Sequence, residues 1–161
     1  IATSLLLIVI NGYKIIYYII YESQFQISNI GLRAYKRYEK HLTKKEFHHL
    51  MGICNISQLN SGVIVQKGDE VKKIMLILKG KAVVLNNQGI ISELEPGDFI
   101  GEFGALSGDE ASATIESKAN LTVACWDPSI IDKEIVLGKI VSLNILKKLI
   151  ANNKSTSDSN V

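Results

Sequence analysis

Between Val63 and Trp126 the chain is cut into short β-branched runs by glycine-containing turns, and that rhythm restricts the fold more than any other feature. The runs are Val63-Ile64-Val65, Ile74 to Leu78, Ala82 to Leu85, Ile90 to Leu94, Ser112 to Ser117 and Leu121 to Trp126. Gly62, Lys67-Gly68-Asp69, Lys79-Gly80 and Asn86-Asn87-Gln88-Gly89 punctuate the earlier runs. Such runs are too short for buried helices and match ordinary strands, while the intervening residues are those that reverse a backbone. The pattern predicts an all-β roll or barrel, so the chain reads as mainly β with flanking α-helices.

One interval is longer and different in kind. Leu94 to Thr114, LEPGDFIGEFGALSGDEASAT, holds Gly97, Gly101, Gly104 and Gly108 among apolar residues. Glycines at this density let a backbone fold tightly and approach a ligand directly. A short helix is expected from Gly101 or Glu102 to Gly108, with its first free N–H groups suited to an anion.

The spacing within that interval resembles the phosphate-binding cassette of the cyclic nucleotide-binding domain family, of the Crp and PKA-regulatory type. Gly97-Asp98, then Gly101-Glu102, then Ala111-Ser112-Ala113-Thr114 carry the likeness, with Leu59-x-x-Gly62, Gly68 and Gly80 at the turn positions upstream. It extends over roughly Ile56 to Asp127 and implies a jelly-roll-like cyclic nucleotide-binding β-roll. The implied ligand-binding residues are Gly101, Glu102, Phe103, Gly104, Ala111, Ser112, Ala113 and Thr114. By that resemblance Glu102 accepts from a ribose 2′-hydroxyl, the Gly101–Gly104 amides approach ribose and phosphate, and Ser112 and Thr114 donate to phosphate oxygens of cAMP or cGMP. The family's phosphate-binding arginine is replaced by Ala111, which implies weakened or altered binding. No other cofactor is implied. The alternative is a ligand-free β-roll that keeps its glycines for turns and serves as an oligomerisation or protein-interaction module.

Residues 1–22 are expected to form a transmembrane helix truncated at its start. IATSLLLIVI carries no charge, and apolar residues resume from Ile15 to Tyr21; a span needs about 20 mostly apolar residues. Tyr13, Tyr17, Tyr18 and Tyr21 lie at helical spacing near one end, as interfacial aromatics do. Arg33, Lys36, Arg37, Lys40, Lys44 and Lys45 follow, which places the β-domain on the cytoplasmic side of the membrane. This order of membrane helix, Tyr-rich basic linker, helix with Phe47-x-x-Leu50 and β-roll resembles Popeye-domain membrane proteins and their bacterial relatives.

Residues 23–54 read as a helical linker. Ser28 to His41 has Ile30, Ala34, Tyr35 and Tyr38 at helical spacing, and Thr43-Lys44-Lys45-Glu46 is a capping box before Phe47, Leu50, Met51 and Cys54. The β-domain with its C-terminal helices is expected over residues 55–151. Asp127-Pro128 is a helix start, Gly138 is expected to interrupt, and Ile140, Leu143, Leu146, Leu149 and Ile150 form the stripe of a second helix. The polar residues 152–161 are expected to be unstructured. The apolar stripes predict a homo-oligomer or a membrane-protein partner.

Composition closes off other classes. A hydrophobic content of 47% over 161 residues supports a real core. Eighteen basic against sixteen acidic residues give a net charge of +2, too balanced to indicate nucleic acid as a partner. Cys54 and Cys125 have no companions at metal-ligand spacing and read as free thiols. His41, His48 and His49 read as surface residues rather than metal ligands. No nucleophile–base pair, paired-carboxylate motif or strand-borne metal histidines mark an enzyme.

Overall fold

The computed structural model describes residues 11–16, 27–87 and 89–158. Two short helices, α1 (Leu32–Tyr38) and α2 (Lys44–Gly52), lead into strands β1 (Asn55–Leu59), β2 (Gly62–Val65), β3 (Ile74–Lys79), β4 (Ala82–Asn86), β5 (Gly89–Leu94) and β6 (Phe99–Ile100). Helix α3 (Glu102–Ser107), strands β7 (Thr114–Ser117) and β8 (Leu121–Trp126), a 3₁₀ turn (Pro128–Ile130) and helix α4 (Ile135–Asp158) follow. The strands form two four-stranded antiparallel sheets, ordered β1-β8-β3-β6 and β2-β7-β4-β5.

The apolar run of β3 has a direct physical explanation. Successive strand residues face opposite sides. Ile74, Leu76 and Leu78 pack with Tyr38, Phe47, Leu50, Ile140 and Val141 beneath the helices, while Met75 and Ile77 join Leu121, Val123 and Cys125 inside the roll. Both faces are covered, so neither needs polar residues. Strand β5 is an edge with Ile90 and Ile91 exposed, and only Leu94 of its residues is buried.

The expected strands are present, together with β1 and β6. Strand β1 escapes a hydrophobicity reading because its Asn-Ile-Ser-Gln-Leu sequence lies on a sheet edge, paired to β8 alone. Strand β6 is only two residues long and sits inside the glycine-rich interval.

Thr43 caps α2 as expected: its Oγ1 accepts from the Glu46 amide at 3.2 Å, and Glu46 Oε2 accepts from the Thr43 amide at 2.7 Å. Thr43→Ala is expected to lower stability by about 1 kcal/mol, read as a shift in the denaturant midpoint with an unchanged slope.

The C-terminal part differs from the expectation. The helix start at Asp127-Pro128 yields only a 3₁₀ turn, with Asp127 Oδ1 accepting from the Ser129 amide at 2.9 Å. Gly138 does not interrupt; one helix runs through it to Asp158, so the stretch from Asn152 expected to be unstructured is helical that far. An interior glycine costs only about 1 kcal/mol relative to alanine, less than the packed face of α4 supplies, and no Gly or Pro follows Gly138 to end the helix. The buried face also differs: Leu137, Ile140, Val141 and Asn144 are covered, whereas Leu146, Leu149 and Ile150 are exposed.

Among the described residues no helix is long and apolar enough to cross a membrane. Residues 11–16 are helical; the rest of the expected span, 1–10 and 17–22, lies outside the described residues.

Candidate ligand-binding site

The glycine-rich interval is locked to the roll at its start. Gly97 adopts φ +98° in the turn between β5 and β6. Its amide donates to the Ile77 carbonyl at 2.8 Å, and its carbonyl accepts from the Tyr38 hydroxyl at 2.8 Å. Asp98, 6% exposed, receives the Glu95 amide at 2.9 Å and the Arg37 guanidinium at 2.7 Å. A buried carboxylate requires such partners. The Gly97-Asp98 pair therefore joins α1, β3 and the turn, and burial pushes the Tyr38 hydroxyl far above the ordinary tyrosine range.

Strand β6 then delivers Gly101, whose φ of +85° begins α3; Gly108, at φ +76°, ends it. A Cβ on Gly101 would sit 2.6 Å from the Lys73 carbonyl, and one on Gly104 would sit 2.7 Å from the Asp109 carbonyl. Both positions are closed to any side chain without movement of the backbone. Beyond the helix, the Ala111 amide donates to the Asp69 carbonyl and the Ala111 carbonyl accepts from the Gly68 amide, each at 2.8 Å. The turn at Gly68 thus holds the segment that returns to β7.

These elements enclose a cavity of about 360 Å³. Gly101, Glu102, Phe103, Gly104, Ala111, Ser112 and Ala113 all line it, beside Val71, Val84, Phe99 and Lys148. Seven of the eight residues expected from the sequence are therefore brought together. Thr114 is the exception: its Oγ1 accepts from Gln66 Nε2 at 3.2 Å and from the Lys67 amide at 3.1 Å, and it does not line the cavity. A larger cavity of about 610 Å³, between residues 58–65 and 69–73, contains Gly101 but neither Glu102 nor residues 111–113.

Glu102 is only 2% exposed. Its Oε1 accepts from Lys148 Nζ at 2.5 Å and Asn144 Nδ2 at 3.3 Å, both on α4, and Lys148 also donates to the Phe99 carbonyl at 3.2 Å. Among the described residues Glu102 Oε2 accepts no hydrogen bond. Glu102 and Lys148 are the charged residues of the cavity lining, so the lining is electrically balanced. Asn144 and Lys148 are the partners of Glu102 that sequence reasoning missed. A signal existed in Asn144, a polar residue four positions from Ile140 on an otherwise apolar face.

Among the described residues no group of three or more His, Cys, Asp or Glu could hold a metal. His49 instead meets Glu134 at 3.0 Å, a partner 85 residues away. Cys54 and Cys125 are free thiols, both pushed up by burial.

Residues 60–135 match the family model of the cyclic nucleotide-binding domain. The chain is 29% identical over 82 residues to the cAMP-dependent protein kinase regulatory subunit of Schizosaccharomyces pombe, covering 50% of this chain and 19% of that protein. Among solved structures it resembles PKAR CBD2 bound to Sp-2Cl-cAMPS, with 22% identity, a TM-score of 0.63 and coverage of 81% of this chain and 86% of that one. It also resembles the regulatory subunit of a cAMP-independent protein kinase A from Trypanosoma brucei, with 20% identity, a TM-score of 0.57 and coverage of 83% and 52%. The fold is that of a cyclic nucleotide-binding domain.

Proposed function

We propose, from the cyclic nucleotide-binding domain fold of this chain, that it is a sensor whose cyclic nucleotide sits in the Glu102 cavity with reduced affinity. The observation that carries this reading is the convergence on one cavity of Glu102, the Gly101–Gly104 backbone and Ala111 to Ala113. A ribose hydroxyl finds an acceptor in Glu102 Oε2, and neutral donors at Ser112 and the first turn of α3 face the phosphate. Ala111 offers no guanidinium, and neutral hydrogen bonds contribute less than charge-assisted ones.

Calorimetric titration of the chain with cAMP and cGMP tests this directly. Saturable binding by at least one of them is the expected result, and no heat at millimolar nucleotide would sink the reading.

The mostly apolar segment 1–22 extends the proposal to a membrane-anchored sensor with its β-domain on the cytoplasmic side, in an arrangement like that of Popeye-domain proteins. Co-flotation of the chain with lipid vesicles checks the anchor; a chain left behind at the bottom of the gradient would remove it.

The pairing of Glu102 with α4 favours a second reading, in which the roll is a ligand-free interaction module and Glu102 fastens the helix. That reading predicts a homo-oligomer, assembled through the exposed Leu146, Leu149 and Ile150, whose mass is unchanged by nucleotide.

A further inference from the structure

Resting on the proposed nucleotide site, we propose that Lys148 is the cation that receives the ligand's anionic group, a role that Ala111 leaves unfilled. Lys148 lies on α4, away from the glycine-rich interval in sequence, yet it lines the same cavity as Ala111, Ser112 and Ala113. It is the basic residue of that lining among the described residues.

Donor arithmetic gives the role its chemistry. An ammonium has three N–H donors. Glu102 Oε1 takes one and the Phe99 carbonyl takes another. The third has no partner among the described residues, and the Lys148 side chain is 29% exposed, so it is open to a ligand. The two existing bonds aim the ammonium while that donor meets a phosphate oxygen. Glu102 contributes in two ways: Oε1 holds the lysine, and Oε2 remains for a ligand hydroxyl. The pairing also neutralises a buried carboxylate that would otherwise repel an anion.

The arrangement ties ligand to helix. A bound anion adds a contact to α4, through Lys148, that an uncharged ligand lacks.

The test titrates the whole chain with cAMP, cGMP and adenosine, in the wild type, Lys148→Gln and Lys148→Arg. Lys148→Gln is expected to bind the cyclic nucleotides about tenfold more weakly, the difference between a charge-assisted and a neutral bond. Adenosine, with base and ribose but no anion, is expected to behave alike in both, and Lys148→Arg is expected to retain most of the wild-type affinity. Adding Ala111→Arg to Lys148→Gln is expected to restore cyclic nucleotide binding, which also separates loss of charge from loss of folding. Unchanged cyclic nucleotide affinity in Lys148→Gln would overturn the role of Lys148 and leave the proposed function standing. An equal loss for adenosine would overturn it as well, because the lysine would then act only by seating the helix. A wild type that binds neither cyclic nucleotide overturns the proposed function and this inference together.

Discussion

Ala111→Arg is expected to raise the affinity of the chain for cAMP by about ten- to a hundredfold. The substitution changes one thing. The Ala111 backbone is fixed by its two hydrogen bonds to the Gly68-Asp69 turn, and the side chain is half-buried on the cavity wall. An arginine there adds a guanidinium to a lining in which Lys148 spends two of its three donors on Glu102 and the Phe99 carbonyl and keeps one for the phosphate. A hydrogen bond to a charged group contributes about 1.5–3 kcal/mol against about 0.5–1.5 for a neutral one, and 1.4 kcal/mol corresponds to about one decade of affinity. Calorimetric titration measures the gain, with Ala111→Leu as a control for bulk. An arginine variant that binds cAMP no better than the leucine control would show that this position does not face the phosphate.

Gly101→Ala is expected to lower unfolding free energy by about 2–5 kcal/mol. Two costs coincide at this residue. Its φ of +85° is a left-handed conformation that costs an L-residue roughly 1–2 kcal/mol. The new methyl group also meets the Lys73 carbonyl at 2.6 Å and Val71 Cγ1 at 3.2 Å, and overpacking of this kind typically costs about 1–3 kcal/mol. Gly108 supplies the comparison. It is also left-handed, at φ +76°, but a Cβ there meets nothing within 4 Å, so Gly108→Ala is expected to cost only about 1–2 kcal/mol. Chemical denaturation of both variants reads the difference; equal losses would mean that backbone conformation alone explains Gly101. Because Val71 and Gly101 both line the cavity, the Gly101 variant is also expected to bind nucleotide poorly.

Much of the fold was legible in the residues. Each β-branched run between Gly62 and Trp126 became a strand, the Thr43 capping box opened α2, and the short helix fell between Gly101 and Gly108. These features depend on neighbours a few positions away, so composition and spacing carry them. The polar edge strand β1 was hidden because pairing with β8, rather than its own hydrophobicity, makes it a strand. The continuous helix through Gly138 was hidden for a related reason: burial of Leu137, Ile140 and Val141 outweighs the cost of one glycine.

The candidate site divides along the same line. By itself the sequence determined the glycines that shape the interval, the placing of Glu102 at the start of a short helix, and an alanine at position 111, where the family resemblance implies an arginine. Only the tertiary structure decided what those residues face. It turned Thr114 toward Gln66 and Lys67, bound Asp98 to Arg37 across 61 residues, and brought Asn144 and Lys148 onto Glu102 across 42 and 46. Backbone turns follow from local steric limits, whereas a buried charge takes whichever partner the packing of distant elements brings within hydrogen-bonding reach.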